Sequence, residues 1–306
     1  MGTVHQLIQT HGRRGVLALD LDRRIVDVAA EFMADEDSGS AFLFSGWAQA
    51  ALPHRRLADN AAWKVQTDHV MLLVQPGRRA VRDADDELVG VPYGSKARLI
   101  MLYLQTEAVR TNSREIELGR SLRDWLSRMG IRAGGKAIDD VREQAKRISH
   151  CSLSFQISHG GRGALMNQHI VDTALFLDNA NPDQASLFLE RAMLSERFFE
   201  QLKRHPVPLQ EAAIKAINGH SMALDLYCWL AYRLHSLSKP SPVTWRALKA
   251  QFGTGVSRMD HFRATFTYNL NLAMAVYPEA KLDVDARGLT LHPSAPPVRP
   301  KALGTR

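Results

Sequence analysis

The stretch GIRAGGKA, residues 130–137, comes closest to a motif with chemistry of its own. Four residues separate Gly130 from Gly135 and Lys136, as in the phosphate-binding loop G-x-x-x-x-G-K-[ST]. Such a loop follows a strand, and the Ser or Thr after its lysine holds magnesium. Here a predicted helix precedes the glycine and Ala137 follows the lysine. The stretch therefore does not predict an ATP-hydrolysing enzyme.

The same residues are better suited to a turn between two helices. Gly130 would end the first helix, and Gly134 and Gly135 allow a tight turn into the second. Lys136 then lies beside a helix N-terminus, where the helix dipole repels it mildly unless an anion lies between them. A DNA phosphate is such an anion.

Other residue patterns argue against catalysis, a metal site or a cofactor. The 12 histidines are scattered, and neither H-x-H, H-E-x-x-H, C-x-x-C nor G-x-S-x-G occurs. A DNA-nicking enzyme with a tyrosine nucleophile would be expected to carry a His-hydrophobe-His metal motif, which this sequence lacks. We therefore expect a protein that is not an enzyme and that holds no cofactor or metal.

The helix predicted over residues 137–149 has one apolar and one charged side. Its apolar stripe consists of Ile138, Val141, Ala145 and Ile148. The charged side carries Lys136, Asp139, Glu143, Lys146 and Arg147, with Arg142 on the flank. A helix of this kind can read base edges in a major groove. It can equally be an ordinary amphipathic helix whose Glu143 pairs with Arg147 four residues on.

Charge and composition limit the class of protein. The net charge is +7, and residues 94–149 hold 12 Lys and Arg against seven Asp and Glu. This excess fits either a polyanionic partner or a solvated basic face. No apolar run approaches the roughly 20 residues needed to cross a bilayer, and the start of the chain lacks the apolar core of a secretory signal. Cys151 and Cys228 are predicted to be free core thiols, so we expect a cytoplasmic protein without membrane contact.

Two units with the same order of elements follow residue 90. The first is predicted as a helix from Ser95 to Thr111, a strand at 114–118, helices at 120–129 and 137–149, and a hairpin of 152–158 with 173–177. The second is predicted as a helix from Leu209 to Leu237 broken near Asn218, a Thr244-capped helix up to Gly253, a helix from Ser257 to Val276, and a hairpin at 282–293. Helix, strand, two helices and a hairpin is the order of a winged helix.

The sequence therefore predicts a mostly α protein with small β-hairpins, of the α+β class, with tandem winged-helix domains. The region before them, residues 1–90, is predicted to hold helices at 20–37 and 41–53 and a buried strand at 70–74, and to be accessory. We place the boundaries at 1–90, 91–200 and 201–293, followed by a disordered basic, Pro-rich tail at 294–306.

One long segment resembles plasmid-encoded RepA replication proteins. It reads VGVPYGSKARLIMLYLQTEAVRTNSREIELGRSLRDWLSRMGIRAGGK and is followed by VREQAKRIS. Shorter stretches, among them ALPHRR, WRALKAQFG and YPEAKLDV, extend the likeness over about residues 42–298. The resemblance implies a plasmid replication initiator that binds repeated double-stranded origin DNA (iterons) and promotes origin opening or helicase recruitment. It also implies control of its own gene by dimers, and a host initiator and replicative helicase as partners.

Carried onto this sequence, the resemblance and the helix geometry select a set of DNA-binding residues. In the first unit the set is Lys96, Arg98, Arg120, Arg123, Lys136, Arg142, Lys146 and Arg147. In the second unit the polar side of the third helix carries Arg258, His261, Arg263, Thr267, Tyr268 and Asn271, of which Arg258 and Arg263 are selected. A winged-helix transcriptional repressor is the alternative function, and a DNA-processing enzyme such as a nickase or primase is a further one.

Overall fold

The structure is a computed structural model that describes residues 3–35, 38–68, 70–81, 85–117, 127, 130–131, 135–159, 162–177 and 188–298. The helices of these residues are α1 (Thr3–Leu17), α2 (Arg23–Met33), α3 (Ser45–Gln49), α4 (Gly94–Thr111), α5 (Gly135–His150), α6 (Glu196–Arg204), α7 (Glu211–Ala216), α8 (Ser221–Leu234), α9 (Trp245–Phe252) and α10 (Met259–Met274). Of the helix predicted at 120–129 only residue 127 is described, and residues 299–306 of the tail predicted at 294–306 lie outside the described residues.

The strands form small antiparallel sheets between the helices. They are β1 (Ser40–Phe44), β2 (Trp63–Gln66), β3 (Val70–Gln75), β4 (Gly77–Arg79), β5 (Glu87–Val89), β6 (Glu115–Glu117), β7 (Ser152–His159), β8 (Arg162–His169), β9 (Val171–Leu177), β10 (Phe188–Leu194), β11 (Pro206–Gln210), β12 (Ser241–Thr244), β13 (Leu282–Val284) and β14 (Gly288–Leu291). Their orders are β1-β11, β2-β3-β7-β8, β4-β5, β6-β10-β9 and β12-β14-β13. The predicted α+β class is confirmed.

Strands of residues 1–90 are hydrogen-bonded to both later units. Strand β1 pairs with β11, so that Ser40 lies opposite Gln210 and Phe44 opposite Pro206. Strand β3 pairs with β7, with Val70 opposite Ile157 at one end and Gln75 opposite Ser152 at the other. The helix predicted over residues 41–53 was therefore wrong, since only Ser45–Gln49 is helical there. The apolar run around Phe42 suits a strand as well as a helix, and its partner strand is distant in sequence.

In the first unit, α4 is almost surrounded by protein. Its apolar residues Leu99, Ile100, Tyr103, Leu104 and Ala108 are buried. The polar Gln105 and Thr106 are buried too, and they accept hydrogen bonds from the backbone of β1. The stripe of α5 faces the same core, with Val141, Ala145 and Ile148 buried. The predicted hairpin was wrong in its pairing: β7 pairs with β8, while residues 171–177 pair with β10.

The second unit follows the predicted order of elements closely. The broken helix is α7 and α8, interrupted at residues 217–220. Thr244 caps α9, because its hydroxyl accepts a hydrogen bond from the Ala247 N–H at 3.2 Å. Trp245 lies edge-on to Phe262 and Phe266, with ring centroids 6.4 and 5.7 Å away, and fixes α9 on α10. The hairpin β13–β14 packs beside them, with β12 as the third strand.

Candidate nucleic-acid interface

Helix α5 is the predicted DNA-reading helix of the first unit, but its Arg147 side chain lies inside the protein. The Arg147 side chain is 3% exposed and lies 2.7 Å from an Asp59 carboxylate oxygen and 2.6 Å from one of Glu143. It also donates to the Val91 carbonyl at 3.2 Å and lies over the Tyr93 ring. Burial alone would lower the pKa of Arg147, but the two carboxylates raise it, and the Arg147 hydrogen bond in turn lowers the pKa of Asp59. The guanidinium is thus a buried structural contact with no free edge for DNA.

The other charges on α5 are also offset by acids. Lys146 is 2.9 Å from Glu87, and Arg142 is 3.8 Å from Asp139, its neighbour on the same helix. Lys136 is exposed, but so are Asp139 and Asp140. A surface with this balance repels phosphates about as much as it attracts them, so α5 is a poor DNA reader in this conformation.

Arg98 is a second predicted DNA contact that the structure places inside. Its guanidinium makes a two-pronged pair with Asp225, at 2.6 and 2.7 Å. It also donates to the carbonyls of Leu52, Pro53 and Gly94. Residue 98 thereby joins α4, α8 and the loop at residues 52–54. Losing it would leave a buried carboxylate unpaired, which typically costs about 3–5 kcal/mol.

Of the remaining first-unit candidates, the structure describes Lys96 alone. Lys96 is half-buried near the start of α4. Arg120 and Arg123 lie outside the described residues. The turn GIRAGGKA is described in part: Gly130 has a φ of 69°, and its carbonyl accepts a hydrogen bond from the Asn218 side chain.

Helix α10 presents a different kind of surface. Phe262, Phe266 and Leu270 are buried. The exposed arc consists of Asp260, His261, Arg263, Ala264, Thr265, Tyr268 and Asn271. Arg258 precedes the helix and forms an ion pair with Asp260 that lowers the pKa of that carboxyl. Most of the arc is uncharged and carries hydrogen-bond donors and acceptors, as base reading requires.

Three exposed arginines from three elements border Trp245: one follows it in the chain, one lies over its ring, and one bonds its backbone. Arg263 of α10 lies over the Trp245 ring, with the guanidinium carbon 5.3 Å from the ring centroid. Arg246 follows the tryptophan in α9, and the Arg287 carbonyl at the hairpin accepts the Trp245 backbone N–H at 3.0 Å. We call Arg246, Arg263 and Arg287 the arginine cluster. Of these three, the sequence selected only Arg263, and the packing of α10 and the hairpin against Trp245 brings Arg263 and the backbone of Arg287 to this residue.

The acids near this cluster have other partners. Asp283 lies 2.8 Å from His292. Asp285 accepts from the N–H groups of Arg287 and Gly288, at 2.7 and 2.9 Å, and these bonds lower its pKa. Within the described part of the chain, no ion pair holds Arg246, Arg263 or Arg287. Residues 201–293 also hold 11 Lys and Arg against six Asp and Glu, so the unit as a whole is cationic.

Neither a metal site nor a membrane span emerges from the described residues. No group of three or more His, Cys, Asp or Glu among them is arranged to hold a metal ion. None of their helices is long and apolar enough to span a bilayer. The two cysteines are buried and unpaired, as predicted, and burial raises the pKa of Cys151 to about 12.

Comparison with known proteins gives the family. The model of a family described as plasmid-encoded RepA protein matches residues 91–246, about half of the chain. The chain belongs to this family. The RepA match begins just before α4 and includes Arg98, Arg147 and Arg246. It ends before α10 and the hairpin, so Arg263 and Arg287 lie beyond it.

Solved structures add a distant likeness. A selenomethionine derivative of domains 2 and 3 of RctB is similar at 14% identity and a TM-score of 0.49, covering 74% of this chain and 84% of that one. A second structure of RctB domains 2–3 has 13% identity and a TM-score of 0.47, covering 76% and 82%. No curated protein matches the chain.

Proposed function

We propose that this RepA-family protein is a plasmid replication initiator that binds double-stranded origin DNA through α9, α10 and the β13–β14 hairpin of the second unit. The observation that carries this proposal is the arginine cluster beside the exposed polar arc of α10. Cations attract the DNA backbone wherever they lie, but base reading also needs a helix that can enter a groove. Here the two features adjoin, because Arg263 belongs to α10 and lies over the ring of Trp245.

The dimensions of α10 suit the major groove. A helix with its side chains is about 10–12 Å across, and the major groove of B-DNA is about 12 Å wide. At about 100° per residue, Ala264, Tyr268 and Asn271 lie at the middle of the exposed arc. Asn can bond adenine with both amide atoms, and the Ala264 methyl can contact a thymine methyl. These three side chains are therefore the proposed base readers.

The arginine cluster would hold the backbone beside that groove. Arg263 lies at one edge of the arc, Arg246 on α9, and Arg287 on the hairpin, which takes the place of the wing in a winged helix. The order α8, β12, α9, α10 and hairpin supports a winged-helix interpretation of this unit. Arg258 is a weaker candidate, because it must first leave Asp260.

The first unit would then serve binding indirectly. Its helix α5 is fixed by Arg147 and Lys146 to acids of residues 1–90, which favours a supporting role over base reading. Binding of several copies to adjacent repeats would bend the origin and open it or bring in the replicative helicase, with the host initiator as a further partner. Dimers that bind the protein's own promoter would repress its gene.

The first test is selection of duplexes from a random-sequence library by the full chain. Titration against salt then follows, with the selected duplex and a scrambled one of equal length. We expect at least about a 1,000-fold preference for the selected duplex, with affinity falling steeply as salt rises. If no sequence is enriched and both duplexes bind equally weakly, the proposal is overturned.

Strand opening separates an initiator from a repressor. A supercoiled plasmid that carries an array of the selected site is incubated with the protein and probed with permanganate, which oxidises unstacked thymines. Reactive thymines beside the array would support initiation. Tight binding without any reactive thymine, and without retention of the replicative helicase on the plasmid, would favour the repressor.

A further inference from the structure

A second basic surface lies on the opposite side of α10 from the arginine cluster. It is a cleft of about 730 Å³ between the loop at residues 53–57, the start of α8, the turn at residues 254–257 and one side of α10. His261, Thr265 and Asn269 form the wall on the helix. The side chains that line the cleft include two arginines and three histidines but no Asp or Glu.

Arg55 and Arg56 supply the positive charge of this cleft. Arg55 is exposed, and its guanidinium contacts no carboxylate in the described chain. Arg56 is 57% exposed and lies 2.9 Å from Asp59, which is shared with the buried Arg147. Because Asp59 retains a second cationic partner, Arg56 can turn towards an anion without leaving that carboxylate unpaired. His54, below them, is held by Ser221 and the Phe252 carbonyl.

The positions of the residues around the axis of α10 show that the two surfaces lie on opposite sides of this helix. Phe262, Phe266 and Leu270 face the core, so the exposed arc runs from Arg263 at one edge to Thr265 at the other. The arginine cluster adjoins the first edge, and the cleft adjoins the second. A helix seated in a major groove has one phosphate backbone on each side, because each strand of the duplex forms one wall of the groove.

We infer that the cleft binds backbone phosphates of one DNA strand through Arg55 and Arg56, while the arginine cluster binds the other strand. This inference rests on the proposed insertion of α10 into the major groove. It gives a DNA contact to residues 1–90, which the sequence predicted to be accessory. The loop at residues 53–57 then clamps the duplex against α10, and Arg98 holds that loop in place through the Leu52 and Pro53 carbonyls.

The experiment measures the salt dependence of binding for the full chain and the selected duplex. The test variant is Arg55→Gln with Arg56→Gln. Its control is Lys203→Gln with Arg204→Gln, an adjacent exposed pair at the carboxyl end of α6, away from the cleft. Both variants remove two positive charges. Each lost phosphate contact lowers the slope of log affinity against log salt by about 0.9.

We expect the test variant to lose nearly two units of slope and at least about tenfold in affinity, and the control to keep the wild-type slope within about half a unit. Arg55→Gln alone breaks no ion pair among the described residues, so it should lose about one unit even if the double variant folds poorly. Equal slopes for test and control overturn the clamp while leaving the proposed function intact. If the wild-type protein prefers no duplex, the proposed function has failed, and the clamp with it.

Discussion

At the scale of single residues, burial decides which arginines can meet DNA. Arg98 and Arg147 are nearly fully buried, and each contacts carboxylates and backbone carbonyls. Arg263 is exposed and held over an aromatic ring, which restricts its side chain without neutralising its charge. A guanidinium restricted in this way loses less entropy when it binds a phosphate. Arg263 is therefore better prepared for binding than a flexible surface lysine.

Arg263→Gln tests this difference directly. Because a phosphate contact carries no base information, we expect affinity to fall by a similar factor for the selected and the scrambled duplex. The salt slope should fall by about 0.9. Asn271→Ala should instead weaken the selected duplex by about 1–3 kcal/mol and leave the scrambled one little changed. Fluorescence-anisotropy titrations over a range of salt concentrations distinguish these patterns. An unchanged slope in Arg263→Gln, with the protein folded, would remove Arg263 from the interface.

At the scale of elements, Gly288 fixes the hairpin beside Trp245. It lies opposite Thr244 in the sheet, with a φ of 159°, and a Cβ there would lie 2.0 Å from the Val243 carbonyl oxygen. We therefore expect Gly288→Ala to break the β12–β14 pairing, to displace Arg287, and to cost about 3 kcal/mol of unfolding free energy. The measurement is urea unfolding, followed by the salt titration of DNA binding.

Gly255 provides the matched comparison. Its φ is +90°, but a Cβ there would meet nothing within 4 Å, so Gly255→Ala introduces backbone strain without a clash. We expect it to cost about 1 kcal/mol. Equal losses for the two variants would mean that strain, and not the contact with Val243, determines the requirement for glycine at position 288.

Local patterns made most elements predictable, and distant pairings did not. The stripe of α5, the break near Asn218 and the Thr244 cap depend on residues a few positions apart, and all three appear in the structure. Strand β1 was predicted as part of a helix, because the strand that pairs with it, β11, is distant in sequence. For the same reason the sequence could not show that Arg98 meets Asp225 or that Arg147 meets Asp59, since tertiary packing alone brings those pairs together.

At the scale of the whole molecule, one polar junction ties residues 1–90 to the later units. His54 lies 3.0 Å from the Ser221 hydroxyl and 3.3 Å from the Phe252 carbonyl oxygen. The Arg98–Asp225 pair adjoins it, with Asp225 3.9 Å from the imidazole. Burial, together with the charge of Arg98 and in spite of the opposing charge of Asp225, lowers the pKa of His54 to about 4. His54 is therefore neutral in the folded protein at pH 7.

This lowered pKa makes the stability of the folded protein sensitive to mild acid. In the unfolded chain the histidine has an ordinary pKa near 6.5, so between about pH 6.5 and pH 4 the unfolded state binds a proton that the folded state does not. Stability should therefore fall as the pH drops, by up to about 2 kcal/mol between pH 7 and pH 5 from His54. Urea unfolding at the two pH values measures the loss. His54→Asn keeps a polar side chain without a titrating group, so its loss should be smaller by that amount. Equal losses in both proteins would show that other groups, such as His220, whose pKa is also lowered by burial, account for the acid sensitivity.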